Sequence, residues 1–202
     1  MRIKLFVVAV FVFVLSFSVC SEIYAQKPRA RLPFVIYVES SSRENHFAPS
    51  GWMGDFGDLK INPANAESPH SGNTCIKIAY SGRMAQGAGW AGIYWQQPAN
   101  NWGDKRGAGY NLTGAEKLTF WVRGQKGGEK IAEFKVGGIT GEYPDSCTAA
   151  IGPITLSKEW TKYSIPLDEK DMSSIIGGFC FALSKDDNPT GAVIFFDDIA
   201  YE

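Results

Sequence analysis

The chain has 202 residues, 45% of them hydrophobic and 13% aromatic, and its 20 basic residues nearly balance 21 acidic ones. A chain of this length and composition can bury one substantial core, which favours a single globular domain. The near-neutral charge forms no basic stripe, so nucleic acid and anionic membranes are excluded as expected partners.

The first 25 residues are predicted to be a secretory signal peptide. Residues 1–4 carry two positive charges, residues 5–20 are almost wholly apolar, and Ala25 ends a small-residue cleavage site. An apolar run of this length is shorter than the roughly eighteen to twenty residues that span a bilayer, so no membrane insertion is expected after cleavage. Residues 26–31 are predicted to be a short basic leader without a fold of its own, and residues 32–202 a single domain. We expect the mature protein to be secreted, periplasmic or on the cell surface.

Nine apolar or alternating segments, separated by Gly, Pro, Asn and Asp, are predicted to be β-strands. Most of them are rich in β-branched and aromatic residues. They span residues 32–39, 58–61, 74–80, 89–96, 117–124, 131–138, 160–167, 175–183 and 192–201. No segment keeps a helical period over ten residues, and at most one helical turn is expected at 168–174. The pattern indicates an all-β fold, an antiparallel β-sandwich of the jelly-roll type.

The segment 44–58 is predicted to be a wrapped loop. Glycines recur at every third position from 51 to 57, which excludes a helix interior and suggests that the backbone approaches another group closely. His46, Asp55 and Asp58 are candidates for binding a metal or ligand. The alternative is a structural role for the histidine and turn formation by the two aspartates.

Three cysteines remain after the predicted cleavage, Cys75, Cys147 and Cys180. An odd number allows at most one internal disulfide and leaves one thiol over. Their spacing matches no zinc motif. We therefore expect small buried residues with one bridge at most, and the sequence leaves the pairing open.

Four large aromatic residues lie in and just after the segment 89–96, among glycine and amide residues. Neighbouring side chains of a strand point to opposite faces, so alternation separates core residues from outward ones. In this segment Ala91, Ile93 and Trp95 are predicted to point inward. The outward set from this strand and the next two, with Trp102 from the following loop, consists of Trp90, Tyr94, Gln96, Trp121, Arg123 and Glu133.

These outward residues are candidates for binding a sugar. An aromatic ring stacks on the C–H face of a pyranose, while amide, carboxylate and guanidinium groups bond to its hydroxyls. Exposed apolar surface with a polar rim usually marks a binding site. The hypothesis requires the rings to share one open surface. The alternative is that loops cover them and that they form a second small core.

Several segments resemble carbohydrate-binding modules of the galactose-binding-like jelly-roll group. The segment GYNLTGAEKLTFWVRG (109–124) is similar to the core strand of that group. Further similar segments are VIYVESS (35–41), SGWMGD (50–55), HSGNTCIKIAY (70–80), WTKYSIPL (160–167) and IFFDDIAY (194–201). Such modules occur beside or within secreted enzymes that degrade polysaccharides. The resemblance therefore implies a polysaccharide or oligosaccharide ligand and a partner glycoside hydrolase.

The resemblance also implies a structural calcium ion that joins the first strand, the early hairpin and the last strand. Carried over to this chain, Glu39 and Asp198 supply side-chain oxygens, and Ser71 and Asn73 contribute from the hairpin. Calcium takes about six to eight oxygen ligands, which suits such a set. Tyr37 departs from the pattern, because many relatives have an acidic residue at that position. The alternative is that these acids only accept hydrogen bonds at strand ends.

No motif for catalysis is present in the sequence. There are two histidines and no Gly-x-Ser-x-Gly, His-Glu-x-x-His or phosphate-binding glycine loop. Asp168, Glu169 and Asp171 do not reproduce the Glu-x-Asp-x-x-Glu strand of sandwich-fold glycosidases. We expect a secreted, non-catalytic carbohydrate-binding domain. The alternatives are a cell-surface protein-interaction domain on the same scaffold, and a small glycoside hydrolase or lyase with carboxylates from separate strands.

Overall fold

The structure is a computed structural model that describes residues 27–202, so the predicted signal peptide lies outside the described residues. Among residues 27–202 there is no helix with the length and apolar character needed to cross a membrane. Residues 27–31 form no strand but lie against the domain. Ala30 N donates to Asn111 O at 2.8 Å, and Asn111 Nδ2 donates to Lys27 O at 2.9 Å.

Thirteen strands and one short 3-10 turn, Phe56–Asp58, make up the regular structure of the described residues. The strands are β1 Phe34–Tyr37, β2 Ala48–Gly54, β3 Leu59–Asn65, β4 Cys75–Tyr80, β5 Trp90–Gln96, β6 Lys117–Gly124, β7 Lys130–Ile131, β8 Glu133–Gly137, β9 Thr148–Ile151, β10 Ile154–Thr155, β11 Thr161–Pro166, β12 Gly177–Ser184 and β13 Ala192–Tyr201. The predicted all-β fold is confirmed.

Two antiparallel sheets face each other as a β-sandwich. The front sheet has the strand order β2-β5-β12-β8-β9. The back sheet has the order β11-β6-β13-β4-β3, and β1 pairs with β13. The short strands β7 and β10 form a separate ribbon. This arrangement confirms the antiparallel jelly-roll sandwich predicted from the sequence.

Aromatic side chains from both sheets fill the space between them. Phe179 of the front sheet is fully buried, with its ring centre 5.4 Å from that of Trp95 and 5.2 Å from that of Phe120 on the back sheet. The ring centre of Phe196 lies 5.7 Å from that of Phe179. Strand alternation explains the set, because Trp95 and Phe120 occupy the inward positions predicted for them.

The prediction of a loop over 44–58 is wrong for part of that segment, because Ala48–Gly54 is strand β2 at the edge of the front sheet. Glycine is needed in this strand for packing. A Cβ on Gly51 would stand 2.7 Å from Tyr94 Cβ, so only glycine lets β2 pass this close to β5. Residues 168–174 contain a turn at 168–169 and no helix.

The three cysteines of the described residues are unpaired. Cys75 and Cys180 are buried, and Cys147 is partly buried. Burial raises the pKa of each of the three thiols, so all of them are held in the protonated form at neutral pH. They act as small packing residues, in agreement with the interpretation favoured from their spacing.

Candidate functional site

The outer face of the front sheet carries a shallow, open depression of about 400 Å³ beside Trp90. We call it the front groove, and its lining residues are Trp90, Ala132, Glu133, Ala182, Leu183 and Ser184. Strand register explains the depression. One row across the sheet runs Met53, Gly92, Ala182 and Glu133, and its centre consists of the two smallest residues. The Trp90 ring therefore stands beside a low floor.

Trp90 and Glu133 provide the two kinds of contact predicted for a sugar site, an aromatic ring for stacking and a carboxylate for hydrogen bonds. Trp90 is 41% exposed, although its ring is apolar. Glu133 is half-buried, and its Oε1 pairs with Lys135 Nζ at 2.6 Å. Ser184 lies opposite Trp90 in the sheet. The groove thus offers an aromatic face together with a carboxylate, which is paired with Lys135, and a hydroxyl group.

The chain that leads into Trp90 is fixed by Asp55, whose side chain is fully buried. Asp55 Oδ1 accepts hydrogen bonds from the backbone N–H groups of Gln86 and Ala88, at 2.7 and 3.0 Å. Its Oδ2 accepts one from Gly89 N at 2.7 Å, and its own N–H donates to Trp90 O at 2.7 Å. Burial alone would raise the pKa of Asp55, but these N–H donors outweigh it and hold the pKa below its ordinary value.

The neighbouring candidates from the segment 44–58 also make structural contacts. Asp58 accepts hydrogen bonds from Ser81 Oγ and Met84 N, both at 2.7 Å. His46 Nδ1 is 3.0 Å from Val35 O. These side chains, like that of Asp55, therefore have the structural role that the sequence analysis gave as the alternative to metal or ligand binding. The role of Asp55 in positioning Trp90 was not predicted, since the two residues are far apart in the sequence.

Tyr94 and Gln96 are covered, which is the alternative that the sequence left open for the outward residues. Tyr94 is only 4% exposed, and its hydroxyl donates to Gly137 O at 3.0 Å. Gln96 is fully buried, and its Nε2 donates to Asn101 O at 2.9 Å. Two loops, 97–109 and 138–146, cover this end of the sheet.

Trp102 lies on the first of these loops, with its ring edge-on to Tyr94 at 6.0 Å between ring centres. It is 44% exposed. Ile139 and Ile176 pack with Tyr94 and Cys180 beneath the loops. At this end of the sheet the outward ring of Tyr94 is therefore covered by loops and belongs to a second small core, as the alternative interpretation states.

Trp121 and Arg123 were predicted to share a surface with Trp90, and this is wrong. Strand β6 belongs to the back sheet, so the two residues lie on the opposite side of the sandwich. The His70 ring stacks on Trp121 at 3.7 Å between ring centres. The Arg123 guanidinium lies 3.8 Å from the ring centre of Phe195. Alternation along β6 gave the correct side of its own sheet, but it does not tell which sheet a strand joins.

The four predicted calcium ligands come together around the hairpin 66–74. Glu39 Oε1 accepts from Asn73 N at 2.5 Å, and Glu39 Oε2 accepts from Thr74 Oγ1 at 2.6 Å. Asp198 Oδ1 accepts from Ser71 Oγ at 2.8 Å.

The carboxylate oxygens of this cluster are therefore already occupied by protein donors, and His70 Nδ1 lies 2.8 Å from the second oxygen of Asp198. Within residues 27–202 no group of three or more acidic, histidine or cysteine side chains is placed to hold a metal ion. In this structure Glu39 and Asp198 accept hydrogen bonds from the hairpin, and the implied calcium ion stays a prediction.

Comparison with known proteins finds matches to solved structures. No protein-family model matches the chain, and no curated protein sequence matches it. A family 30 carbohydrate-binding module of the cellulosomal cellulase Cel9D-Cel44B of Clostridium thermocellum has a TM-score of 0.58 and 16% identity, over 85% of this chain and 98% of that one. Another family 30 carbohydrate-binding module has a TM-score of 0.59 and 15% identity, over 85% and 99%.

At this identity the likeness shows the fold. The chain has the jelly-roll fold of these carbohydrate-binding modules, and the resemblance drawn from the sequence motifs is confirmed at that level. The match spans nearly the whole of both modules.

Proposed function

We propose that the protein is a secreted, non-catalytic carbohydrate-binding domain that holds a polysaccharide or oligosaccharide in the front groove. The observation that carries the proposal is Trp90, a ring left 41% exposed over a floor of small residues and next to polar groups. Such a ring buries apolar surface when the C–H face of a pyranose stacks on it. Glu133 and Ser184 then accept or donate hydrogen bonds at the equator of the sugar.

The proposed binding is weak. One exposed ring and a few polar groups on an open surface suit dissociation constants of about micromolar to millimolar, or about −4 to −8 kcal/mol. Such a weak site is useful when a second module is linked to it, because binding of both modules to one polysaccharide raises the overall affinity. The similar module of a cellulosomal cellulase supports a partner glycoside hydrolase, and the predicted signal peptide supports a site outside the cytoplasm.

Replacing Trp90 by alanine should weaken retention on the bound polysaccharide by about 30-fold, the equivalent of about 2 kcal/mol. Affinity electrophoresis in gels containing soluble β-glucans, xylans or mannans measures this directly. Trp52→Ala is the matched control. Trp52 is a tryptophan of the same sheet, 37% exposed, but it pairs with the core-facing Ile93 and lies on the other side of the sheet.

Equal retention of both variants and the native protein would contradict a platform at Trp90. Release of reducing sugars by the purified protein would contradict the non-catalytic part of the proposal. Circular dichroism of Trp90→Ala should match that of the native protein, because an exposed ring contributes little to the core.

The calcium ion implied by the resemblance stays a prediction, and a thermal melt tests it. An ion that binds only the folded state raises the melting temperature by mass action. If the ion binds, CaCl2 added after chelation should raise the melting temperature of the native protein but not of the Glu39→Gln/Asp198→Asn double variant. No rise in either protein would agree with the hydrogen-bonded arrangement of these acids.

A further inference from the structure

The short strand β9 forms one edge of the front sheet, because its only neighbour in that sheet is β8. Two of its residues, Thr148 and Ala150, are exposed. The residues that follow the strand, 152 and 153, are exposed as well. The side of β9 that faces away from β8 is therefore open to solvent.

The backbone groups of these two exposed residues point away from β8. In an antiparallel pair only every second residue exchanges hydrogen bonds with the opposite strand. Gly138 N donates to Cys147 O at 3.1 Å, and this pair continues the register between β8 and β9. Ala149 therefore bonds to β8, whereas the N–H and C=O groups of Thr148 and Ala150 face outward. In the described part of the chain no other segment pairs with these four groups.

The strands at the other ends of the two sheets have features that prevent the pairing of edges. A proline removes an N–H donor, and a charged side chain repels its own copy. Each of these strands has at least one such residue: Pro49 in β2, Lys60 and Pro63 in β3, and Lys162 and Pro166 in β11. The sequence of β9, TAAI, has neither a proline nor a charge. This edge is therefore not protected against pairing with another strand.

The free side of β9 is complementary to a second copy of itself. A two-fold axis through Ala149 places Thr148 opposite Ala150 of the second copy, and Ala150 opposite Thr148 of the second copy. Each of these two pairs exchanges two backbone hydrogen bonds, so every outward N–H and C=O group of both strands obtains a partner. At the axis the two copies of Ala149 lie opposite each other. Their small side chains suit the short Cα separation of such a pair, about 4.5 Å.

We propose that β9 is a homodimer interface, at which two copies of the chain join their front sheets into one antiparallel sheet. A four-residue edge buries little surface, so the dimer is weak, with a dissociation constant of about 0.1 to 1 mM. The two-fold axis is perpendicular to the sheet, and both front grooves therefore lie on the same face. Five strand spacings, or about 24 Å, separate the two copies of Ala182. One polysaccharide can then reach both grooves, a consequence that rests on the proposed function, whereas the dimer itself does not.

Sedimentation equilibrium of the mature protein, without any sugar, tests the interface over concentrations from about 10 μM to about 2 mM. The average mass should rise with concentration toward twice that of one chain. Ala150→Lys and Ala150→Pro should each weaken self-association at least about tenfold, because lysine adds like charges beside the axis and proline removes an outward N–H. Ala64→Lys is the matched control, since Ala64 is an exposed alanine of the edge strand β3. It should associate like the native protein.

The backbone amide signals of Thr148 and Ala150 should shift with protein concentration, which locates the contact without any substitution. Trp90→Ala should associate like the native protein, so failure of the front groove leaves this result unchanged. The proposal is overturned if the native protein stays monomeric over the whole range, since the edge is then left to water or to a different chain. It is overturned if both Ala150 variants associate as strongly as the native protein, or if the concentration-dependent shifts spare Thr148 and Ala150.

Discussion

Replacing Asp55 by alanine is expected to weaken polysaccharide retention nearly as strongly as the loss of Trp90 itself. The carboxylate accepts three backbone hydrogen bonds, from Gln86, Ala88 and Gly89, immediately before the ring. Without it these three donors lose their buried acceptor, and the approach to Trp90 is no longer fixed. Affinity electrophoresis measures the loss, and amide hydrogen exchange at the three donors measures the loosening of the loop.

Asp171→Ala is the matched control for this change. The pKa of the Asp171 carboxyl is also lowered, chiefly by the side chain and N–H of Ser173, but the group is exposed and belongs to a local turn. The control should therefore retain polysaccharide like the native protein. Unchanged retention by Asp55→Ala, with exchange at Gly89 also unchanged, would contradict the role assigned to Asp55.

Acid should reproduce the effect of the Asp55 change in the native protein. Because the pKa of Asp55 in the folded protein is lowered, its stabilising effect is fully present above the ordinary carboxyl pKa of about 4. That effect is lost as the pH falls through the lowered pKa. The amide signals of Gln86, Ala88 and Gly89 should therefore stay constant from neutral pH to about pH 4 and move below it. Movement already near neutral pH would contradict the lowered pKa.

Replacing Phe179 by alanine should lower the free energy of unfolding by about 3–5 kcal/mol. The ring is fully buried and packs between both sheets, with ring centres of Trp95 and Phe120 within 5.4 Å. Removing it takes away apolar burial and leaves a void that rigid neighbouring rings cannot fill. For a domain of this size the melting temperature should fall by roughly 10 °C.

Urea unfolding at constant m-value gives the loss of stability directly. Phe179→Leu keeps most of the volume and should cost clearly less than the alanine change, which tests the part played by the void. If Phe179→Ala lowers the free energy of unfolding by less than about 1 kcal/mol, the prediction is contradicted, because the two sheets would then have moved together to fill the void.

Most of the fold follows from short-range patterns in the sequence. Segments such as 117–124 and 192–201 alternate or run apolar between turn residues, and they appear as β6 and β13. The sequence predicts a loop at β2 because its glycines are typical of turns, whereas in the structure they bring an edge strand close to β5. Strand β9, Thr148–Ile151, has two alanines and too little apolar alternation to predict a strand.

The candidate site was predicted only in part, and the reason is geometrical. Alternation along β5 placed Trp90 outward, as observed, and it placed Tyr94 on the same face. It contains no information on the loops that cover Tyr94, nor on the choice of sheet for β6, which carries Trp121 to the other side. Extending the alternation to β12 would have found Ala182, the small residue in the floor of the front groove.

The row Met53, Gly92, Ala182 and Glu133 crosses the strands of the front sheet and reaches its margin at β2. The covering loops raise one end of β5, so a polysaccharide bound in the front groove as proposed fits along this row more easily than along the strand direction. A groove that runs across the strands and is open at both sheet edges suits internal residues of a polysaccharide chain. It has no feature that recognises a chain end. The protein is therefore expected to bind internal segments of a polysaccharide chain in preference to the chain ends that hydrolysis produces.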